Sequence, residues 1–407
     1  MEANRIMQII QEASVVRTGG SPEELHCARY LQARCAELGL EARLEPFPVE
    51  MGSVQRAELW CDGVQIPCTG YNGALPGDVE APLYYLSNTD PWSLEQCRGK
   101  IVLSDKLMSY WHYHDLVDHG ALGFITYNGD LHYADEDLEQ RELRSYVRED
   151  KPIPGVHLHA KQAVPLIERG VARARLVLEN TIWEGESQNV VLDLPGETEE
   201  FITFTAHYDS TPLSVGAWDN MSGSVGLLAL AEHFASHPHR YGLRFVWCGT
   251  EERGLLGSKA YCKAHAEELE KCVLNINLDM IGTIMGKFLA YSTAEEKLVH
   301  YVSYLAMELG FGMESHQGVY SSDSTPFADT GVPAITFARM APGNVSGVHN
   351  RNDTIALLKG EQMVKDIAFI AAFADRMANA KRCPVTRVIP ENMKTKLDEY
   401  LNRKRPK

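Results

Sequence analysis

The sequence predicts an α/β protein with a mixed, mostly parallel sheet flanked by helices, into which a small β-rich domain is inserted. From Val190 onward, near-continuous apolar strands alternate with amphipathic helices, the pattern of a sheet covered on both faces. Between about Met51 and Glu186 the pattern changes to short β-like runs divided by turn signals. At 407 residues the chain also exceeds the usual size of one domain.

Taken in order, residues 3–40 read as two helices. Ser21 and Pro22 open the second, Glu23 and Glu24 suit its first turn, Leu25, Ala28, Leu31 and Cys35 recur at helical spacing, and Gly39 ends it. LEARLEPFPVE alternates like a strand, and Pro46 and Pro48 mark an edge strand or a domain exit. In the insertion AELWCDG, APLYYLS, GKIVLSD, ALGFITYNGD, IPGVHLH and RARLVLEN each predict a strand, and LHAKQAVPLIERG a short helix. Beyond it VVLDL, FITFTAH, LRFVWCGTEE, VLNINLDMIG and AITFAR predict strands. SGSVGLLALAEHFASH, LGSKAYCKAHAEEL, AEEKLVHYVSYLAMELG and KGEQMVKDIAFIAAFADRM predict helices. The domains expected are 1–50 with 187–380, an insertion at 51–186, and a polar C-terminal tail at 381–407.

Composition narrows the function. A net charge of −16 argues against a grip on nucleic acid or an anionic membrane, both of which need a positive footprint. No stretch is long and apolar enough to span a bilayer. MEANRIMQIIQEASVV is amphipathic without a continuous apolar run, so it predicts a helix of the fold. Nine cysteines with no CxxC pair fit reduced thiols, and a cytoplasmic location is expected unless a leader preceded this sequence. No GxSxG elbow or phosphate-binding glycine loop is present, which speaks against a serine hydrolase or a nucleotide enzyme. YWHYHDLVDH gathers His112, His114 and His119, but it lies in the insertion and predicts a helix start with surface or interdomain contacts in preference to a metal site.

Polar residues collect where the later strands end. FITFTA ends at His207, the next loop delivers Asp219, LRFVWCGT ends at Glu251 and Glu252, VLNINL ends at Asp279, and the loop after AITFAR delivers His349. A single histidine after a strand is commonly a turn residue. Two histidines and four carboxylates at one edge of one sheet are a metal-ligand set, and imidazole with carboxylate and no thiolate suits zinc.

HYDS at 207–210, WDN with SG at 218–223, TEERGLLGS at 250–258, LDMIG at 278–282 and HNRNDT at 349–354 resemble, in order, the motif set of the M28 family of zinc peptidases. GKIVL, GALGFITYN and IPGVHL in the insertion are similar to the protease-associated domain that many members carry. The resemblance implies the zinc exopeptidase fold and two zinc ions, for which manganese or cobalt could substitute. It implies that Asp219 bridges them, that His207 and Asp279 complete one ion's ligands, and that Glu252 and His349 complete the other's. Glu251 is then the general base, taking a proton from the attacking water and returning it to the leaving amine. Asp209, grouped with the catalytic residues, and Asp353 are candidates to orient His207 and His349, with turn or capping roles as the alternative.

The segment VYSSDSTPFADTG departs from the family, which has His or Tyr after the aspartate where this chain has Ser324 after Asp323. Tyr320 and Ser322 become the candidates for stabilising the oxyanion, and Arg339 and Asn344 candidate substrate contacts. The activity expected is that of an aminopeptidase acting on peptides, by a single chain or a homo-oligomer. A carboxypeptidase or dipeptidase, a one-zinc glutaminyl cyclase, and a non-catalytic binding protein of the same fold are the competing readings.

Overall fold

The computed structural model describes residues 1–129, 138–148, 152–341 and 348–406, and the chain divides into two units, Met1–Val49 with Glu186–Lys407, and Glu50–Gly185. In the first unit the strands stand in the order Met313–Gln317, Lys287–Thr293, Ala334–Met340, Cys272–Leu278, Phe201–His207, Gly242–Cys248 and, through its residues 190–194, the end of Arg173–Leu194. The four strands from Ala334–Met340 to Gly242–Cys248 run parallel, and Lys287–Thr293 and Arg173–Leu194 close them with antiparallel pairings. Being buried on both faces, the parallel strands are apolar at nearly every position, which is why they read as continuous runs.

Alternation along each strand sends its side chains to two cores. Phe245 and Trp247 join Phe204 and the helices Ala3–Ala13, Gly223–Ala235 and Gly360–Ala378 on one face, while Val246 and Cys248 meet Tyr261 and Phe327 on the other. Phe204 and Phe245 pair in register and stack with ring centroids 4.7 Å apart. Across the sheet Asn277 lies level with Thr205 and Thr336, accepting from Thr205 Oγ1 at 2.8 Å, a polar row that satisfies itself inside the sheet.

The C-terminal stretch forms a helix, Glu391–Tyr400, whose Met393 and Leu397 are buried with Ala328, Ala334 and Ile389. In the second unit, strands Gly77–Leu86, Ile101–Ser104, Gly123–Asn128 and Gly155–His159 are mutually parallel, with helices Tyr110–Asp118 and Ala160–Arg169. This unit therefore holds more helix than a β-rich insertion implies, because parallel neighbours need crossover connections. Pro46 and Pro48 do not end their strand, which runs as Ala42–Cys61. Among the described residues no helix is long and apolar enough to cross a membrane.

Phe204 is fully buried in the larger core. Phe204→Ala is expected to cost about 3–5 kcal/mol, read as a lower denaturation midpoint with an unchanged slope in a titration followed by tryptophan fluorescence.

Candidate functional site

The parallel register brings His207 level with Cys248, and Asp279 follows Leu278, its amide donating to the Phe337 carbonyl. Three strand ends thus open onto one edge, where a ligand crevice of an open α/β sheet belongs. Asp219 sits in the turn Ala217–Ser222, ahead of helix Gly223–Ala235, and the Asp219–Asn220 peptide is cis.

Asp219 occupies the middle of the constellation. Its Oδ1 lies 3.1 Å from His207 Nε2, and its Oδ2 lies 3.1 Å from His349 Nε2. His207 Nε2 is also 3.7 Å from Asp279 Oδ1, and His349 Nε2 is 3.1 Å from Glu252 Oε2. Among the described residues, the groups of His, Cys, Asp and Glu able to share an ion are His207–Asp219–Asp279 and Asp219–Glu252–His349. No such group includes the histidines of Tyr110–Asp118; His112 instead bonds Ser104 Oγ at 2.9 Å.

The electrostatics of these groups call for a cation. Burial first, with Asp219 adding to it, pushes Glu252 up to about 7. Burial, reinforced by the neighbouring carboxylates, likewise raises Glu251 well above the ordinary range. Burial opposes a charge on His207, yet Glu251, Asp209, Asp219 and Asp279 together raise its pKa well above that of a free imidazole. Asp279 Oδ1 is buried with no hydrogen-bond partner. Two ions sharing Asp219 would relieve these costs, and three protein groups at each leave coordination positions open for water and substrate.

The loops around these residues are stitched by side chains. Asp209 lies 3.3 Å from His207 Nδ1 and accepts the backbone amides of both Glu251 and Glu252, at 2.9 and 3.2 Å. This bond pair lets neighbouring glutamates depart from one anchored turn. Asp353 accepts from the amides of Trp218 at 2.7 Å and Asp219 at 3.1 Å, so it holds the backbone that carries Asp219. Asn220 joins the two aspartate loops, donating to the Leu278 carbonyl at 2.9 Å and accepting from Met280 N at 3.0 Å. Arg17 is fully buried and donates to the carbonyls of Tyr208, Val215 and Gly216, clamping the loop between His207 and Asp219.

Three non-glycine residues here hold left-handed backbone: Thr250 at φ 53°, Met280 at 59° and His349 at 61°. Each costs about 1–3 kcal/mol, which the surrounding bonds must sustain. Sequence reasoning passed over Arg17 and Asn220 as site-shaping residues. Only Asn220 left a signal, its place in the WDN motif.

The candidates for substrate and oxyanion contact separate. Tyr320 is half-buried, and burial together with Asp279, Asp219 and Glu251 raises its hydroxyl well above the usual range. Ser322 turns inward, its Oγ accepting from Asn277 Nδ2 at 2.9 Å. Arg339 is committed elsewhere: its guanidinium grips Asp366 at 2.7 and 2.9 Å and donates to the Gly286 carbonyl. Arg339 is thus paired within the fold, and Ser322 is fully buried. Asn344 lies outside the described residues.

Residues 189–374 match Peptidase family M28. The chain is 26% identical over 412 residues to aminopeptidase YwaD of Bacillus subtilis (strain 168), covering 96% of this chain and 87% of that protein. The solved structure of BSAP, a zinc aminopeptidase from Bacillus subtilis, superposes with a TM-score of 0.76 at 25% identity, over 96% of this chain and 99% of that one. An aminopeptidase from Aneurinibacillus sp. strain AM-1 gives a TM-score of 0.76 at 22% identity, over 95% and 96% of the two chains, a likeness of fold.

Replacing the acceptor that holds the Asp219 backbone should loosen the cluster without altering its own histidine and carboxylate side chains. Asp353→Asn is expected to weaken zinc binding about 10–100-fold, measured by competition with a chromophoric chelator; unaltered affinity would contradict the role given to Asp353.

Proposed function

Because residues 189–374 match Peptidase family M28, we propose that this chain is a dizinc aminopeptidase that releases residues from the free N-terminus of peptides. One observation carries this reading: two ligand triads share Asp219, with Oδ1 turned to His207 and Oδ2 turned to His349. When bound, the two ions supply Lewis acidity to the scissile carbonyl and to the attacking water. Glu251 accepts the water's proton at its carboxylate as the new C–O bond forms, then delivers it to the amine nitrogen as the C–N bond breaks. Its placement suits that task, since Asp209 anchors its amide and its Oε2 lies 4.0 Å from His207 Nε2. Tyr320 donates to the oxyanion; among the described residues its hydroxyl gives up the weak acceptor Met340 Sδ, at 3.4 Å.

The direction of attack follows the relatives, since YwaD and BSAP are aminopeptidases. Arg339, which a carboxypeptidase could have used to hold the substrate carboxylate, is occupied by Asp366. We assign Glu50–Gly185 to the protease-associated type on its GKIVL, GALGFITYN and IPGVHL strands. Nine unpaired cysteines support a cytoplasmic site of action.

Glu251→Gln is expected to retain two zinc ions and lose about 10²–10⁴-fold in kcat on an aminoacyl anilide. Full activity in that variant, or cleavage of amine-blocked peptides from the carboxyl end, would overturn the reading. Tyr320→Phe should lower kcat about 10²–10³-fold with little change in KM, and an unchanged kcat would remove Tyr320 from the reaction.

A further inference from the structure

Glu24 belongs to the first turn of helix Pro22–Glu37, three residues after Ser21, whose hydroxyl accepts the Glu24 amide at 3.1 Å. In a capping box the glutamate would reach back to the Ser21 amide. Here that amide donates to the Thr18 carbonyl instead, and the Glu24 carboxylate is fully buried and spent elsewhere. Oε2 accepts the Gly20 amide at 2.7 Å, while Oε1 accepts the Thr250 amide at 2.8 Å, Thr250 Oγ1 at 3.0 Å and Ser187 Oγ at 3.0 Å.

Thr250 is the residue before Glu251, and its left-handed φ of 53° is one that a β-branched side chain resists. The amides of Thr250, Glu251 and Glu252 follow one another, and each donates to a buried carboxylate: the first to Glu24, the next two to Asp209. The chain before Glu24 closes on the same threonine, since a Cβ on Gly19 would stand 2.4 Å from Thr250 Cγ2. Filling a core does not require a buried carboxylate, which is costly to desolvate. Accepting from Gly20 on one oxygen and Thr250 on the other does require one, because an amide at this position would set a donor against a donor.

We propose that Glu24 is a positioning residue that holds Thr250 left-handed, and so sets the directions in which Glu251 and Glu252 leave the turn. The proposal rests on the dizinc peptidase reading for its kinetic consequence, but its effect on Glu252 is felt by metal binding alone.

The test compares the full-length wild type with Glu24→Gln, Thr250→Gly and the double variant. Each is assayed for kcat and KM on an aminoacyl anilide, for zinc affinity by chelator competition, and for thermal midpoint. Glu24→Gln is expected to lower kcat about 100-fold with KM within about threefold, and to weaken one of the two zinc ions about 10-fold. Glycine takes φ 53° without strain, so Thr250→Gly in the Glu24→Gln background should recover at least about 10-fold in kcat and restore zinc affinity. A lowered thermal midpoint with kcat and zinc affinity unchanged, or a double variant no better than Glu24→Gln, would overturn the proposal. Should Glu24→Gln fail to fold, Ser187→Ala removes one donor to the same oxygen and is expected to show the same losses in smaller measure; no change in either readout would count against Glu24. Weakened zinc in Glu24→Gln beside full activity in Glu251→Gln would reject the general base and leave the brace standing.

Discussion

The rest of this structure depends on a crowd of buried carboxylates at the carboxyl edge of one sheet. Asp219, Glu251 and Asp279 are nearly inaccessible and lie within 4.0 Å of the same imidazole nitrogen, an arrangement that apolar packing cannot stabilise. Like charges at this spacing raise one another's proton affinity or gather cations, and each Asp219 oxygen turns to a different histidine. The strands supply rigid ends, and everything else near the site keeps the crowd from spreading.

That restraint comes from polar side chains acting on backbone. Asp209 and Asp353 accept amides from the two ligand-bearing turns, Asn220 links those of Asp219 and Asp279, and Arg17 gathers the carbonyls of the loop between His207 and Asp219. Buried groups with full bonding have few alternative arrangements, so a ligand on such a loop is held nearly as firmly as one on a strand. Arg17 and Glu24 both come from the N-terminal segment, one donating to carbonyls and the other accepting amides. The first residues of the chain therefore brace a centre whose ligands begin almost two hundred positions later.

Legibility in the sequence followed the range of the interaction that fixes each residue. The alternation of apolar strands and amphipathic helices marked the sheet because burial of both faces acts on every residue of a strand. His207, Glu251, Glu252 and Asp279 drew notice because they interrupt apolar runs at their ends, where the chain must turn. Glu24 could not be read this way, since Ser21-x-x-Glu24 is also the signature of an ordinary helix cap and only the fold shows the carboxylate bent toward Thr250. Nor could the sequence show that Asn277 donates to Ser322 or that Asp366 pairs with Arg339, because each partner lies on another element. The tail at 381–407, polar enough to read as an arm or a helix, forms a helix whose buried face Met393 and Leu397 carry.

The two triads differ in how they meet solvent. His207 closes a parallel strand and is 1% exposed, whereas the His349 side chain is 50% exposed on a left-handed residue of an irregular loop. A ligand on a strand is fixed by the whole sheet; one on a loop is fixed by few neighbours and yields to small changes around it. The shared Asp219 couples these unequal halves, since any shift of Oδ2 toward His349 turns Oδ1 relative to His207. Asp353, by holding the Asp219 amide, limits that rotation from outside both triads. The rigidity of the exposed half is thus borrowed from the buried half through a single carboxylate, which is why so many of the surrounding hydrogen bonds converge on the turn that carries it.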